Sequence, residues 1–129
     1  MSWVTNTILH FGDGEQEDLD KVNTFFRDGS GHGPGFVSVK DPALPQYWYG
    51  GSKALECSLA IGAFDHLDIS ALVDHLVALC VAGALDADRT QLLLRDQEED
   101  KFHVINIDEE IRARGMRMPW WDPDEANDS

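Results

Sequence analysis

The chain is short of positive charge. Ten Lys and Arg stand against 24 Asp and Glu in 129 residues, a formal charge of −14 with a pI near 4.4. Gripping nucleic-acid phosphates takes a basic footprint, and Arg112, Arg114 and Arg117 form the one loose basic cluster. Direct binding of DNA or RNA is therefore excluded, and a basic protein is the natural complement. No apolar run approaches the roughly 18 residues of a membrane span. Residues 1–11, MSWVTNTILHF, show neither a basic n-region nor an A-x-A cleavage pattern, so the expected location is cytoplasmic. The two cysteines, Cys57 and Cys80, sit among apolar neighbours and are expected to be buried thiols rather than a disulfide or a reactive pair. Ser52, Ser58 and Ser70 lie in no G-x-S-x-G elbow, and neither H-E-x-x-H nor a phosphate-binding Gly-Lys-Ser/Thr occurs.

What is present is globular: 43% hydrophobic and 26% charged residues, in a length that suits one domain able to fold without disulfides or metal. Residues 3–10 are rich in β-branched and aromatic types and read as a first strand. Asp13 with Gln16 supplies a capping pair for a helix over about 15–28, whose Leu19, Val22 and Phe26 share a face with Phe25 at its edge. The glycine-rich segment 29–35, GSGHGPG, follows a helix and precedes a strand, the reverse of a phosphate loop, and reads as a connection. Phe36 to Lys40 is a second strand. The aromatic triplet Tyr47-Trp48-Tyr49 is either a short edge strand or a plug over the core.

Cys57 to Gly83 is the stretch around which the chain is expected to be organised. Leu55 to Phe64, the most apolar run, reads as a strand central in the sheet. Asp68 is placed as the N-cap of an amphipathic helix carrying Ile69, Leu72, Val73, Leu76 and Cys80, with Gly83 at its end. Thr90–Arg95 and Phe102–Ile107 form a hairpin across the acidic turn Asp96–Asp100. Asp108–Gly115 is either one more helical turn capped by Asp108 or an irregular return. The expected architecture is α+β: a two-layer sandwich, a ferredoxin-like βαββαβ plait with an additional C-terminal hairpin strand. The domain spans 1–118. Trp120 and Trp121 are candidates to dock on it, and 119–129 form an acidic, disordered tail.

Met1-Ser2-Trp3 with Asn6, Lys53–Cys57, Gly62–Asp68, His75 and the run TQLLLRDQEEDKF at 90–102 resemble small acidic proteins of actinobacterial genomes. The resemblance covers most of residues 1–107, leaving out the glycine-rich segment and the tail. It implies a recurring fold and carries no activity.

Two surfaces are candidates for function. Asp65, His66 and Asp68, with His75 further along the helix, are weak candidates for a metal or for acid–base work; capping by Asp68 and a boundary histidine account for them adequately and are the favoured reading. The acid runs offer an electrostatic surface, and the residues expected to meet a partner are Asp96, Glu98, Glu99 and Asp100 with the aromatic anchors Tyr47, Trp48, Tyr49, Trp120 and Trp121. The leading expectation is a non-catalytic acidic interaction module, of inhibitor or immunity type, that needs no cofactor. The alternatives are a small metal- or ligand-binding enzyme at the Asp65–Asp68 turn, and an assembly subunit that forms a homodimer through a free sheet edge or the aromatic triplet.

Overall fold

Period-two patterning in the first strand organises the whole molecule. A computed structural model describes residues 3–26, 35–39 and 57–121. In β1, Val4–Phe11, burial alternates strictly, with Thr5, Thr7, Leu9 and Phe11 facing inward. Successive elements are α1 (Gln16–Asn23), β2 (Val37–Ser38), β3 (Leu59–Asp65), α2 (Ile69–Val81), β4 (Thr90–Asp96), β5 (His103–Asn106) and α3 (Ile107–Ala113). The five strands form one antiparallel sheet in the order β2-β3-β1-β4-β5. The fold is thus mixed α+β, with three α-helices and an open five-stranded sheet among the described residues. Leu9, Phe64, Leu92 and Leu94 from the strands enter one core with Leu19 and Val22 of α1, Leu72 and Leu76 of α2, and Ile107 and Ile111 of α3.

The central strand is β1, not the apolar run expected there. β3 lies beside it, begins at Leu59 rather than Leu55, and leaves Ile61 48% exposed. Cys57 precedes the strand and is only half-buried, which corrects the expectation of two buried thiols; Cys80 on α2 is fully buried.

The start of α1 also differs from expectation. Gly12 (φ +66°) allows a turn in which the Gly14 amide bonds the Phe11 carbonyl at 3.0 Å, and this turn takes up Asp13. The helix begins two residues later, with the Asp18 carboxylate accepting the Glu15 amide at 2.8 Å. After Asn23 it tightens into a 3-10 turn through Phe26. Leu19, Val22 and Phe26 are buried as expected, and Phe26 stacks on Phe64 at 4.5 Å between centroids. β2 starts at Val37 rather than Phe36 because the Asn23 side chain takes both polar groups of Phe36, donating to its carbonyl at 3.0 Å and accepting its amide at 2.8 Å; Lys40 lies outside the described residues. Gly35 (φ +94°) makes room, since a Cβ there would lie 2.4 Å from Asn23 Oδ1.

Expectations for α2 hold closely. Asp68 accepts the Ala71 amide at 3.0 Å, and Gly83 (φ +84°) closes the helix as its amide bonds the Cys80 carbonyl and that of Ala84 bonds Leu79. At the end of β5, Ile107 turns into α3 instead of extending the strand, and Asn106 rather than Asp108 is the N-cap residue. Met118 and Trp121 both belong to the core. The glycine-rich segment up to position 34, the triplet Tyr47-Trp48-Tyr49 and the tail beyond Trp121 lie outside the described residues.

Replacing Asn23 by Ala leaves the Phe36 amide and carbonyl without their partner inside the protein. The expected loss is about 1–3 kcal/mol, read as a lower urea midpoint at unchanged m-value. Burial pushes the Cys80 thiol up to about 11, against a smaller opposing effect of its hydrogen bond with Thr90. In native protein at neutral pH a maleimide is therefore expected to label Cys57 while Cys80 reacts only after unfolding, as mass spectrometry of the digest would show.

Candidate functional site

Acid and aromatic side chains meet where β1 leaves the sheet. The Phe11–Gly14 turn, the end of α2 and the 3-10 turn Ala87–Arg89 border a cleft of about 500 Å³, lined by Asp13, Asp18, Asp86 and Asp88 and closed on one side by Trp120. Asp86 starts its turn by accepting the Asp88 amide at 3.1 Å, so that Asp86 and Asp88 are presented together. Arg89 lies between two of the acids, 2.9 Å from Asp13 and 3.8 Å from Asp86. One guanidinium among four carboxylates leaves the cleft strongly negative.

Asp88 holds both tryptophans. Its Oδ2 accepts the Trp120 indole N–H at 3.0 Å and its Oδ1 accepts that of Trp121 at 2.8 Å. The two rings then take different roles. Trp121 is buried, with the Arg112 guanidinium 4.1 Å over its ring and Arg117 donating to its carbonyl at 2.8 Å. Trp120 is 55% exposed, an apolar plate fixed at the rim of a negative cleft. The basic cluster of the sequence is engaged in contacts within the chain: Arg112 also faces Asp108 at 3.6 Å, and Arg114 joins α3 to α2 through Asp74 at 2.5 Å, both at the surface.

The remaining candidates lie elsewhere. Asp96, Glu98, Glu99 and Asp100 occupy the β4–β5 turn, at the end of β4 remote from Trp120 and Trp121, so the expected partner residues split between the two ends of the sheet. That turn bonds to itself. Asp96 accepts the Thr5 hydroxyl at 2.9 Å, the Asp96 amide bonds Glu99 Oε1, and Glu99 Oε2 meets His103 Nε2. The His103 hydrogen bond, then the Asp96 amide, holds the Glu99 carboxyl below the usual carboxylate range.

The Asp65–Asp68 turn is occupied by structural tasks. Asp65 accepts the Trp3 amide at 2.8 Å and pairs with His66, which sits at φ +55°, while Asp68 caps α2. His75 is turned toward α1, 3.2 Å from the Lys21 carbonyl and against the Phe25 ring. Among the described residues no three of His, Cys, Asp and Glu converge as metal ligands would, nor is any helix long and apolar enough to cross a membrane.

Asp86, Asp88 and Arg89 lie in the short connection between α2 and β4. Their one local signal is the Asp-x-Asp spacing that builds the turn; their neighbours Asp13 and Trp120 are distant in sequence. Comparison with protein-family models, curated proteins and solved structures finds no match.

Because the folded state lowers the Glu99 pKa, its contribution to stability is present above the ordinary glutamate value of about 4.3 and is lost as pH falls through the lower folded value. Glu99→Gln is expected to melt below the parent protein at pH 6, with the difference closing as the pH is taken below about 4; thermal denaturation across that range checks the direction.

Proposed function

We propose that the protein is a non-catalytic acidic interaction module, of inhibitor or immunity type, that binds a basic protein in the cytosol. The observation that carries this reading is Trp120, an exposed indole held by Asp88 at the rim of a cleft with four carboxylates. Buried aromatic anchors beside charge are what interfaces use for affinity, and a negative cleft steers a basic partner toward its anchor. A lysine or arginine of the partner would enter the cleft with its apolar stem on the indole. The acids of the β4–β5 turn, at the far end of the sheet, add to the long-range field rather than to this contact.

The strand order supports a ferredoxin-like βαββαβ plait in two layers, with β5 as the added hairpin strand. The connections β1–α1–β2 and β3–α2–β4 each pass through a helix and skip one strand, as that plait requires. Such a frame presents turns from both sheet ends as rigid binding surfaces.

The test is recovery of a basic protein by low-salt co-purification, followed by calorimetric titration of the purified pair. Binding is expected to weaken steeply as salt rises to about 0.15 M and by at least about tenfold on Trp120→Ala, with the melting temperature of the variant unchanged. Recovery of no basic protein, or binding indifferent to both changes, overturns the proposal.

A further inference from the structure

We infer that the outward face of the sheet is a self-association surface, seating the same face of a second copy about a two-fold axis along β1. The pairing registers place Val37, Ile61, Ile8, Leu93 and Val104 directly opposite one another on five successive strands. Directly paired residues project to the same side, so these five form one apolar row across the full width of the sheet, on the side away from the core. Val37 is 42% exposed and Val104 53%, and Ile61 between them is nearly as open. A continuous apolar row of this kind on a strongly charged protein marks a contact surface.

Charge selects the occupant. On a chain of formal charge −14 the strand positions of this face carry one acid, Asp65, one arginine, Arg95, and the histidine His10, which is bonded to Gln91. The face itself adds no local attraction for a basic partner and no local repulsion toward a second copy, so its pairing works only against the long-range repulsion of two acidic chains, which salt screens. The two charges also stand on opposite sides of β1, Asp65 on β3 paired with Val4 and Arg95 on β4 paired with Asn6. Rotation about an axis along β1 lays β3 of one copy over β4 of the other. Asp65 then faces the neighbourhood of the second copy's Arg95, two residues or about 7 Å away along the strand and across sheets about 10 Å apart. The same rotation maps the apolar row onto itself in reverse: Ile8 meets Ile8, Ile61 meets Leu93, and Val37 meets Val104. The row is self-complementary, as an isologous interface must be.

The face spans roughly 20 by 20 Å, set by strand spacing and rise, which is about 400 Å² in projection and about half the ~800 Å² per partner of a standard interface, an area that suits a weak dimer. Edge pairing offers much less, since the outer strands are two residues (β2) and four residues (β5) long.

Sedimentation velocity on the full chain provides the test. The parent protein is expected to be a dimer at tens of micromolar, and Ile61→Glu and Val104→Glu are each expected to weaken it at least about tenfold. Both positions are exposed, so the melting temperature at fixed low concentration should stay that of the monomer; two separate sites keep the test usable if one variant misfolds. Arg95→Glu should weaken the dimer, and Asp65→Arg with Arg95→Glu should restore it, because the exchanged charges still meet across the two-fold. A monomer at about 200 μM overturns the inference, including the outcome in which Ile61 is shielded from solvent by some other occupant. So does a dimer that survives both glutamates, or one that the double exchange fails to restore. Trp120→Ala should leave the dimer intact, which separates this inference from the reading of the acidic cleft.

Discussion

The molecule depends on β1 being paired along both edges at once. From Thr5 to His10 each residue has a partner on β3 and another on β4, so the strand's backbone polar groups are met on both sides. Its inward side chains are buried, Leu9 completely, and the two buried threonines are satisfied by Asp96 and by the Gly62 carbonyl. The other elements hang from this pairing. β3 leads into α2, β4 leads through its hairpin into β5 and α3, and the turn after Phe11 delivers Asp13 and Asp18 to the cleft. A slip of one residue would turn Leu9 and Phe11 outward and disperse the apolar row on the other face.

The acidic cleft and the apolar row occupy different parts of this frame, and their chemistries do not compete. The cleft sits where chain turns gather beyond the strand ends, and the arginines that could neutralise it are held by Trp121, Asp74 and Asp108. The row lies on the strands themselves, where alternation leaves no place for the acid runs. Negative charge therefore concentrates in turns and on helices, and one neutral face remains on an otherwise acidic protein.

Local signals were legible wherever the deciding contact lay within a few residues. Asp68 as a cap, Gly83 as a stop and the inward arc of α2 follow from short-range hydrogen bonds and from the helical period. Misreadings arose where a distant partner decided. Phe36 looks like strand until Asn23, thirteen residues earlier, claims its amide and carbonyl. The Asp65–Asp68 turn drew attention as a cluster of chemistry-bearing residues, yet each is bound to a backbone amide or to its neighbour.

The sequence by itself determined the α+β class, the succession of elements from β1 to β5 among the described residues, the caps of α2 and the strongly acidic composition, because these rest on composition and on local periodicity. Tertiary structure alone decided which strand is central and which acids stand together. β3 is largely apolar on both faces, which in one dimension reads as a doubly covered central strand; in the sheet its outward Ile61 joins the exposed row, and β1 takes the centre. Likewise Asp13, Asp88 and Trp120 are separated by most of the chain and meet only because β1 and β4 run antiparallel, bringing the end of one strand beside the start of the other. Strand order and register are set by pairings between distant segments, and such pairings leave no trace in local pattern.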